Sequence, residues 1–169
     1  MIILLDIDGV LVTTPSWKVP DQLADNFMKF NETATENLAK LYNETNASIV
    51  LTTTHRVNFS IEKWFEIFNT RGLNFQNISK INNRDSIDTL PDRATEIKEW
   101  VEEFGEQANY VVIDDDLSIN RLSDNIKERC ILTKPLIGFD KSCLVKALDI
   151  LNSKNPPLTI IASKKYSND

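Results

Sequence analysis

The chain has 169 residues, 41% of them hydrophobic and 26% charged, which suits one soluble globular domain with a sizeable core. A formal net charge of −6 argues against holding nucleic acid by broad neutralisation of phosphates, which leaves a local basic pocket or a metal as the route to an anion. Cys130 and Cys143 lack CxxC spacing, so neither a zinc site nor a disulfide framework is suggested.

Ile2 to Leu5 is a continuous apolar run, as expected of a strand buried on both faces of a parallel sheet. Asp6 cuts the run short and no basic segment precedes it, so it does not read as a signal peptide. No stretch approaches the length of a membrane span. The chain is expected in the cytoplasm. Its Asn-x-Ser/Thr triplets, starting at Asn31, Asn43, Asn46, Asn58 and Asn77, then follow from frequent Asn alone. Residues 13–31 give mixed signals, and Pro15 and Pro20 limit any helix there.

Thr33-x-x-Glu36 reads as a capping box ahead of a stripe of Leu38, Leu41 and Tyr42. Ser48 to Leu51 is a second buried strand and runs into Thr52-Thr53-Thr54-His55-Arg56. Ser60 can cap a helix carrying Ile61, Trp64, Phe65 and Phe68 on one face, with Gly72 ending it. Residues 73–90 are irregular, apart from a strand around Ile78 to Ile81. Asp92 can cap a third helix, in which Ile97, Trp100, Val101 and Phe104 repeat the spacing before Gly105. Tyr110 to Ile113 is a third buried strand, ending in Asp114-Asp115-Asp116. A short helix over 117–127, a strand at Cys130 to Leu132, a helix through Leu144, Ala147, Leu148 and Leu151, and a last strand at Thr159 to Ala162 follow. The alternation predicts an α/β, three-layer, Rossmann-like domain over residues 1–163. Its sheet should be mainly parallel, with helices on both faces, and residues 164–169 should form a loose tail.

Ligands of open α/β sheets bind beyond the carboxyl ends of the strands. Three predicted strands end there in chemically capable residues: Asp6-x-Asp8-Gly9, Thr52-Thr53-Thr54 and Asp114-Asp115-Asp116. In extended backbone Asp6 and Asp8 would face the same way and repel unless a cation lies between them. With the third strand's acids they would make an all-oxygen site suited to Mg²⁺. An EF-hand loop is excluded, because Val10, Leu11 and Val12 follow where oxygen ligands would be needed. Each motif alone has a plainer reading: a DxDG turn, an ordinary strand end, or a helix cap with acids at the positive end of its dipole. Their convergence at successive strand ends favours a site.

The order DxDGxL, a strand ending in Thr, and a strand ending in DD resembles the haloacid dehalogenase (HAD) superfamily over roughly residues 1–140. The segments LDIDGVLV, IVLTTTHR, RATEIKEWV, YVVIDDD and LTKPLIGF are similar to the HAD-type domains of Swiss Army Knife RNA-repair proteins. The resemblance implies a phosphatase in which Asp6 attacks phosphorus to form an aspartyl-phosphate. Asp8 would serve as general acid and then base, its backbone carbonyl also binding Mg²⁺. Asp114 and Asp115 would complete the metal ligands with Asp6, Asp115 being the more direct. Asp116 would stand behind them or cap the next helix. The phosphate-binding hydroxyl falls on Thr53, with Thr52 and Thr54 behind it.

Arg56 and His55 would lie in the loop over the site, where Arg56 could meet a phosphate and a lone His is most simply solvated. The family's phosphate-clamping lysine is missing at the start of the third helix. Arg93 stands there and takes the role, with Lys98 and Lys80 as alternatives.

Little chain separates the motifs, so the resemblance is to a form with a minimal cap or none. An open site of that kind suits a bulky phosphate ester such as an RNA or DNA end. Residues 13–31, with Trp17, Phe27 and Phe30, are candidates for a partial lid or base-stacking surface, against the plainer reading that they pack on the core. The alternatives are a non-catalytic binding module and a phosphotransferase. The residues do not define an oligomeric state.

Overall fold

The computed structural model describes residues 1–153. A five-stranded sheet runs through it, built from β1 (Ile2–Leu5), β2 (Ser48–Leu51), β3 (Ile78–Lys80), β4 (Tyr110–Asp114) and β5 (Cys130–Leu132). The strand order is β3-β2-β1-β4-β5, and every pairing is parallel. Parallel neighbours need crossovers, and helices supply them. These are α1 (Glu32–Thr45), α2 (Ile61–Asn69), α3 (Arg93–Trp100), α4 (Asp124–Lys127) and α5 (Lys141–Asn152).

Alternate residues of the central strands feed two cores, one on each face. Ile3, Leu5, Ile49, Leu51, Val111 and Ile113 pack with the apolar faces of α1, α2 and α5. Leu4, Val50, Tyr110 and Val112 pack with α3, α4 and the short 3₁₀ turn between β4 and α4. The three-layer α/β architecture expected from the alternation is therefore the one found. The predicted strand at Thr159 to Ala162 and the tail lie outside the described residues. Among the described residues no helix is long and apolar enough to cross a membrane.

Three local expectations change. The cap of α1 is Asn31, whose side chain accepts from the Ala34 N–H at 3.0 Å, so Thr33 lies inside the helix. α3 widens into a π-helical turn over Val101–Gly105. The extra residue in that turn shifts the phase of the stripe, and Phe104 ends 46% exposed. The helix expected over 117–127 is two pieces, a 3₁₀ turn at Leu117–Arg121 and α4, broken where Leu122 and Ser123 take extended backbone. The plainer reading of residues 13–31 holds for Phe27 and Phe30, which pack in the core, whereas Trp17 is 77% exposed. Between Val12 and α1 the chain holds isolated bridges only, with no cap domain.

Candidate active site

β1 lies between β2 and β4, and the register sets Leu5 beside both Leu51 and Ile113. The next residue on each strand is therefore Asp6, Thr52 and Asp114, delivered to one small volume. Asp6 and Asp114 are buried and Asp115 is half-buried. One carboxylate oxygen from each of the three lies within 4.8 Å of the other two.

Burial, and then the charge of Asp114, hold the Asp6 carboxyl well above the usual range, against the opposing pull of Arg93. Burial also raises Asp114, again against Arg93. Burial and the neighbouring Asp114 push Asp115 up to about 6.

Asp92 caps α3 by accepting from the Thr95 N–H at 2.9 Å, and that start places Arg93 in the first turn, aimed back at the strand ends. Its Nη2 stands 3.5 Å from Asp6 Oδ1, and its Nε stands 3.1 Å from Asp114 Oδ2. Nε and Nη1 are nevertheless buried without a hydrogen-bond partner, Nη1 lying 3.8 Å from Glu96 Oε2, beyond hydrogen-bond reach. Arg93 thus shares its charge with the acids while keeping donors free. Lys98, the alternative on the same helix, is 63% exposed and pairs with Glu102.

Asp8 stands outside the group of three acids, though its charge is felt at Asp6. The strand ends at Leu5, and the N–H groups of Val10, Leu11 and Val12 all turn back to the Ile7 carbonyl, which ends the extended alternation that would align the two acids. The Asp8 carboxylate is 54% exposed and lies 2.9 Å from His55 Nε2. Its side chain stays out of the group formed by Asp6, Asp114 and Asp115.

Gly9 makes the turn possible. Its φ is +68°, and an added Cβ would stand 2.1 Å from Asp115 Oδ2, so only glycine lets that carboxylate approach. The Thr133 hydroxyl donates to the Gly9 carbonyl at 2.8 Å and braces the turn from the far side.

The threonine run divides. Thr52 is buried, and its hydroxyl donates to Asp114 Oδ2 at 3.3 Å. Thr53 accepts from the His55 N–H at 3.3 Å, and no acceptor takes its own O–H among the described residues. Thr54 is exposed.

Arg56 corrects its expectation. It is fully buried rather than in the loop over the site. Its Nη1 donates to the Thr52 and Thr53 carbonyls at 2.7 and 2.9 Å, and its Nη2 pairs with Glu96 and reaches Asn82. Both terminal nitrogens are committed to the protein, and Nε is buried without a partner. The contact between His55 and Asp8 was not legible in the sequence, since it depends on how the turn after β2 folds over the turn after β1.

A family model described as the HAD domain in Swiss Army Knife RNA repair proteins matches residues 2–143. The chain belongs to that family. None of the curated proteins compared with it matches. In this HAD domain the matched span contains every strand of the described sheet and all three acidic residues of the cluster.

The donor set fits a hard divalent cation. Three carboxylates meet one guanidinium, so the cluster is short of positive charge, and every available ligand atom is an oxygen. The upward shifts of Asp6, Asp114 and Asp115 express the same shortage.

Proposed function

We propose that this HAD domain is a Mg²⁺-dependent phosphohydrolase that acts through an aspartyl-phosphate on Asp6. The observation that carries the reading is the meeting of Asp6 with the Asp114 and Asp115 carboxylates and the Arg93 guanidinium at the strand tips. Asp6, Asp115 and Asp114, with the Asp8 backbone carbonyl, are the groups that would hold Mg²⁺, which supplies charge neutralisation to phosphoryl oxygens when bound.

Burial strips water from the Asp6 carboxylate, which attacks phosphorus while the bond to the leaving oxygen breaks. Arg93 offers its unpaired N–H groups to the phosphoryl oxygens. The Thr53 hydroxyl, with its proton uncommitted, donates to another. Asp8 gives a proton to the departing alkoxide, then takes one from the water that cleaves the aspartyl-phosphate. Its exposed side chain suits that exchange better than the buried Asp6.

The absence of a cap domain among the described residues supports a bulky substrate such as a phosphorylated RNA or DNA end. Arg93 in place of the family's lysine is the feature that favours a non-catalytic module instead. Hydrolysis of p-nitrophenyl phosphate, with and without Mg²⁺, by the wild type and Asp6→Asn, separates the two. Turnover by the wild type alone, and with Mg²⁺ alone, is expected. Equal rates across a broad ester panel that includes phosphorylated RNA and DNA ends overturn the reading. Release of inorganic phosphate, as against its appearance on an acceptor, separates hydrolase from phosphotransferase.

A further inference from the structure

The contact between His55 and Asp8 joins the turns after two different strands. Nε2 and Oδ2 are 2.9 Å apart, the ring is 30% exposed and the carboxylate 54% exposed. Exposed pairs are usually held loosely, since ordering two side chains offsets the attraction. Here one partner is fixed in advance. The His55 N–H is held by Thr53 Oγ1, and its carbonyl accepts from the Asn58 N–H at 3.0 Å. Two residues before the ring, the backbone is pinned from beneath by buried Arg56, through the Thr52 and Thr53 carbonyls. The ring itself stands edge-on to Phe27, with centroids 5.3 Å apart and planes at 84°. Phe27 is in turn locked by edge contacts with Phe30, Phe59 and Trp64. Among the described residues His55 is the only hydrogen-bond partner of the Asp8 carboxylate.

We infer that His55 is the positioning residue of the general acid: it holds the Asp8 carboxyl in the orientation from which the leaving group is protonated. This rests on the phosphohydrolase reading, since without it Asp8 has no proton to deliver. A carboxyl free to rotate on an exposed turn would spend little time aligned with a departing oxygen, and alignment is much of what general acid catalysis needs. The rigid mount beneath the ring supplies that alignment without burying Asp8, which keeps the acid open to water for the second half of the reaction.

The consequence depends on the leaving group. An alkoxide needs a proton as the P–O bond breaks, whereas p-nitrophenolate departs with little help. The quantity to compare is kcat/KM, which covers steps up to release of the first product and so isolates formation of the aspartyl-phosphate. For His55→Ala, kcat/KM on an alkyl phosphate such as a nucleoside 3′-monophosphate is expected to fall about 10²-fold. On p-nitrophenyl phosphate the fall is expected to be at least about ten times smaller. His55→Gln, which keeps a polar group at similar reach, should recover part of the alkyl rate. Adding His55→Ala to Asp8→Asn should lower the alkyl rate little further, because both act through one group.

Equal losses on the two esters, no loss on either, or full additivity with Asp8→Asn overturns the inference. If His55→Ala fails to fold, the His55→Gln and Asp8→Asn pair carries the same comparison. A wild type that hydrolyses neither ester rejects the phosphohydrolase reading itself and the inference with it, a result distinct from any difference among variants.

Discussion

Arg93, in the first turn of α3, stands 3.5 Å from Asp6, at the tip of β1. The same guanidinium has its Nε 3.1 Å from Asp114. A single cation thus faces these two buried acids, which otherwise repel, and buried Glu96 beside them, so it serves stability as well as the phosphate binding proposed for it. Arg93→Ala is expected to abolish phosphatase activity and also to destabilise the fold, by about 3–5 kcal/mol, because it leaves buried charge uncompensated. Arg93→Lys should keep the fold near wild type and part of the activity, since a point charge replaces Arg93 at Asp6 but lacks its reach to Asp114. Urea unfolding and steady-state kinetics on the two variants read both effects.

Asp6→Asn should behave in opposite ways in the two assays. Removal of the nucleophile is expected to lower turnover by at least about 10³-fold. Removal of a buried charge from a repulsive cluster is expected to raise Tm by a few degrees in the absence of divalent ions, on the order of 1 kcal/mol. Differential scanning fluorimetry in EDTA checks the second; a lower Tm would contradict it.

Mg²⁺ should raise the Tm of the wild type in a concentration-dependent way. A ligand present at a hundred times its Kd contributes about 2.7 kcal/mol to a fold that alone can bind it. The shift should vanish in EDTA and shrink strongly in Asp115→Asn.

Gly9→Ala should lose that same Mg²⁺ shift while the protein still folds. The φ of +68° alone costs an alanine roughly 1 kcal/mol, and its Cβ, 2.1 Å from Asp115 Oδ2, must push that carboxylate aside. A full Mg²⁺ response in Gly9→Ala would contradict the placement of Asp115 in the metal-binding group.

Far from the site, Asp25 and Arg71 form a nearly buried ion pair, each side chain 3% exposed. Arg71 also reaches the Phe27 and Met28 carbonyls, and Asp25 also accepts from the Phe27 N–H. The Arg71 hydrogen bond holds the Asp25 carboxyl down at about 2, below its usual value of 3.8. A carboxyl with a depressed value stabilises the fold fully above the unfolded value, and that contribution is lost as pH falls from about 4 through 2. It is worth about 2 kcal/mol at neutral pH. Asp25→Asn should therefore be less stable than wild type at pH 6, and the gap should close towards pH 2. Denaturant titrations across that range test it.

The strands and the acids at their tips were legible because buried parallel strands are short apolar runs and the polar residues that end them stand out. β1 and β2 match their expected bounds, and the caps at Ser60 and Asp92 hold. What failed was whatever depended on backbone direction after an element ends. The Asp8 carboxylate lies outside the group of Asp6, Asp114 and Asp115 where the chain turns at Ile7, and no periodicity argument covers a turn. Asn31 takes the cap from Thr33, either residue type being able to serve, and is itself tied to the Leu11 carbonyl and the Thr13 hydroxyl. Arg56 was placed over the site by its nearness to the threonines, but the 3₁₀ turn swings it inward to Glu96. His55 reads as solvated in the sequence because its partner lies 47 residues away.

The central place of β1 has a consequence for assembly. Its two neighbours, β2 and β4, come from later and widely separated parts of the chain, so a nascent polypeptide holding only the first half cannot complete the acidic cluster. Long-range parallel pairing is slow to nucleate, because loop closure is costly before contacts reward it. Capture of the proposed divalent ion would thus come late in folding, and its uptake during refolding would time the docking of β4.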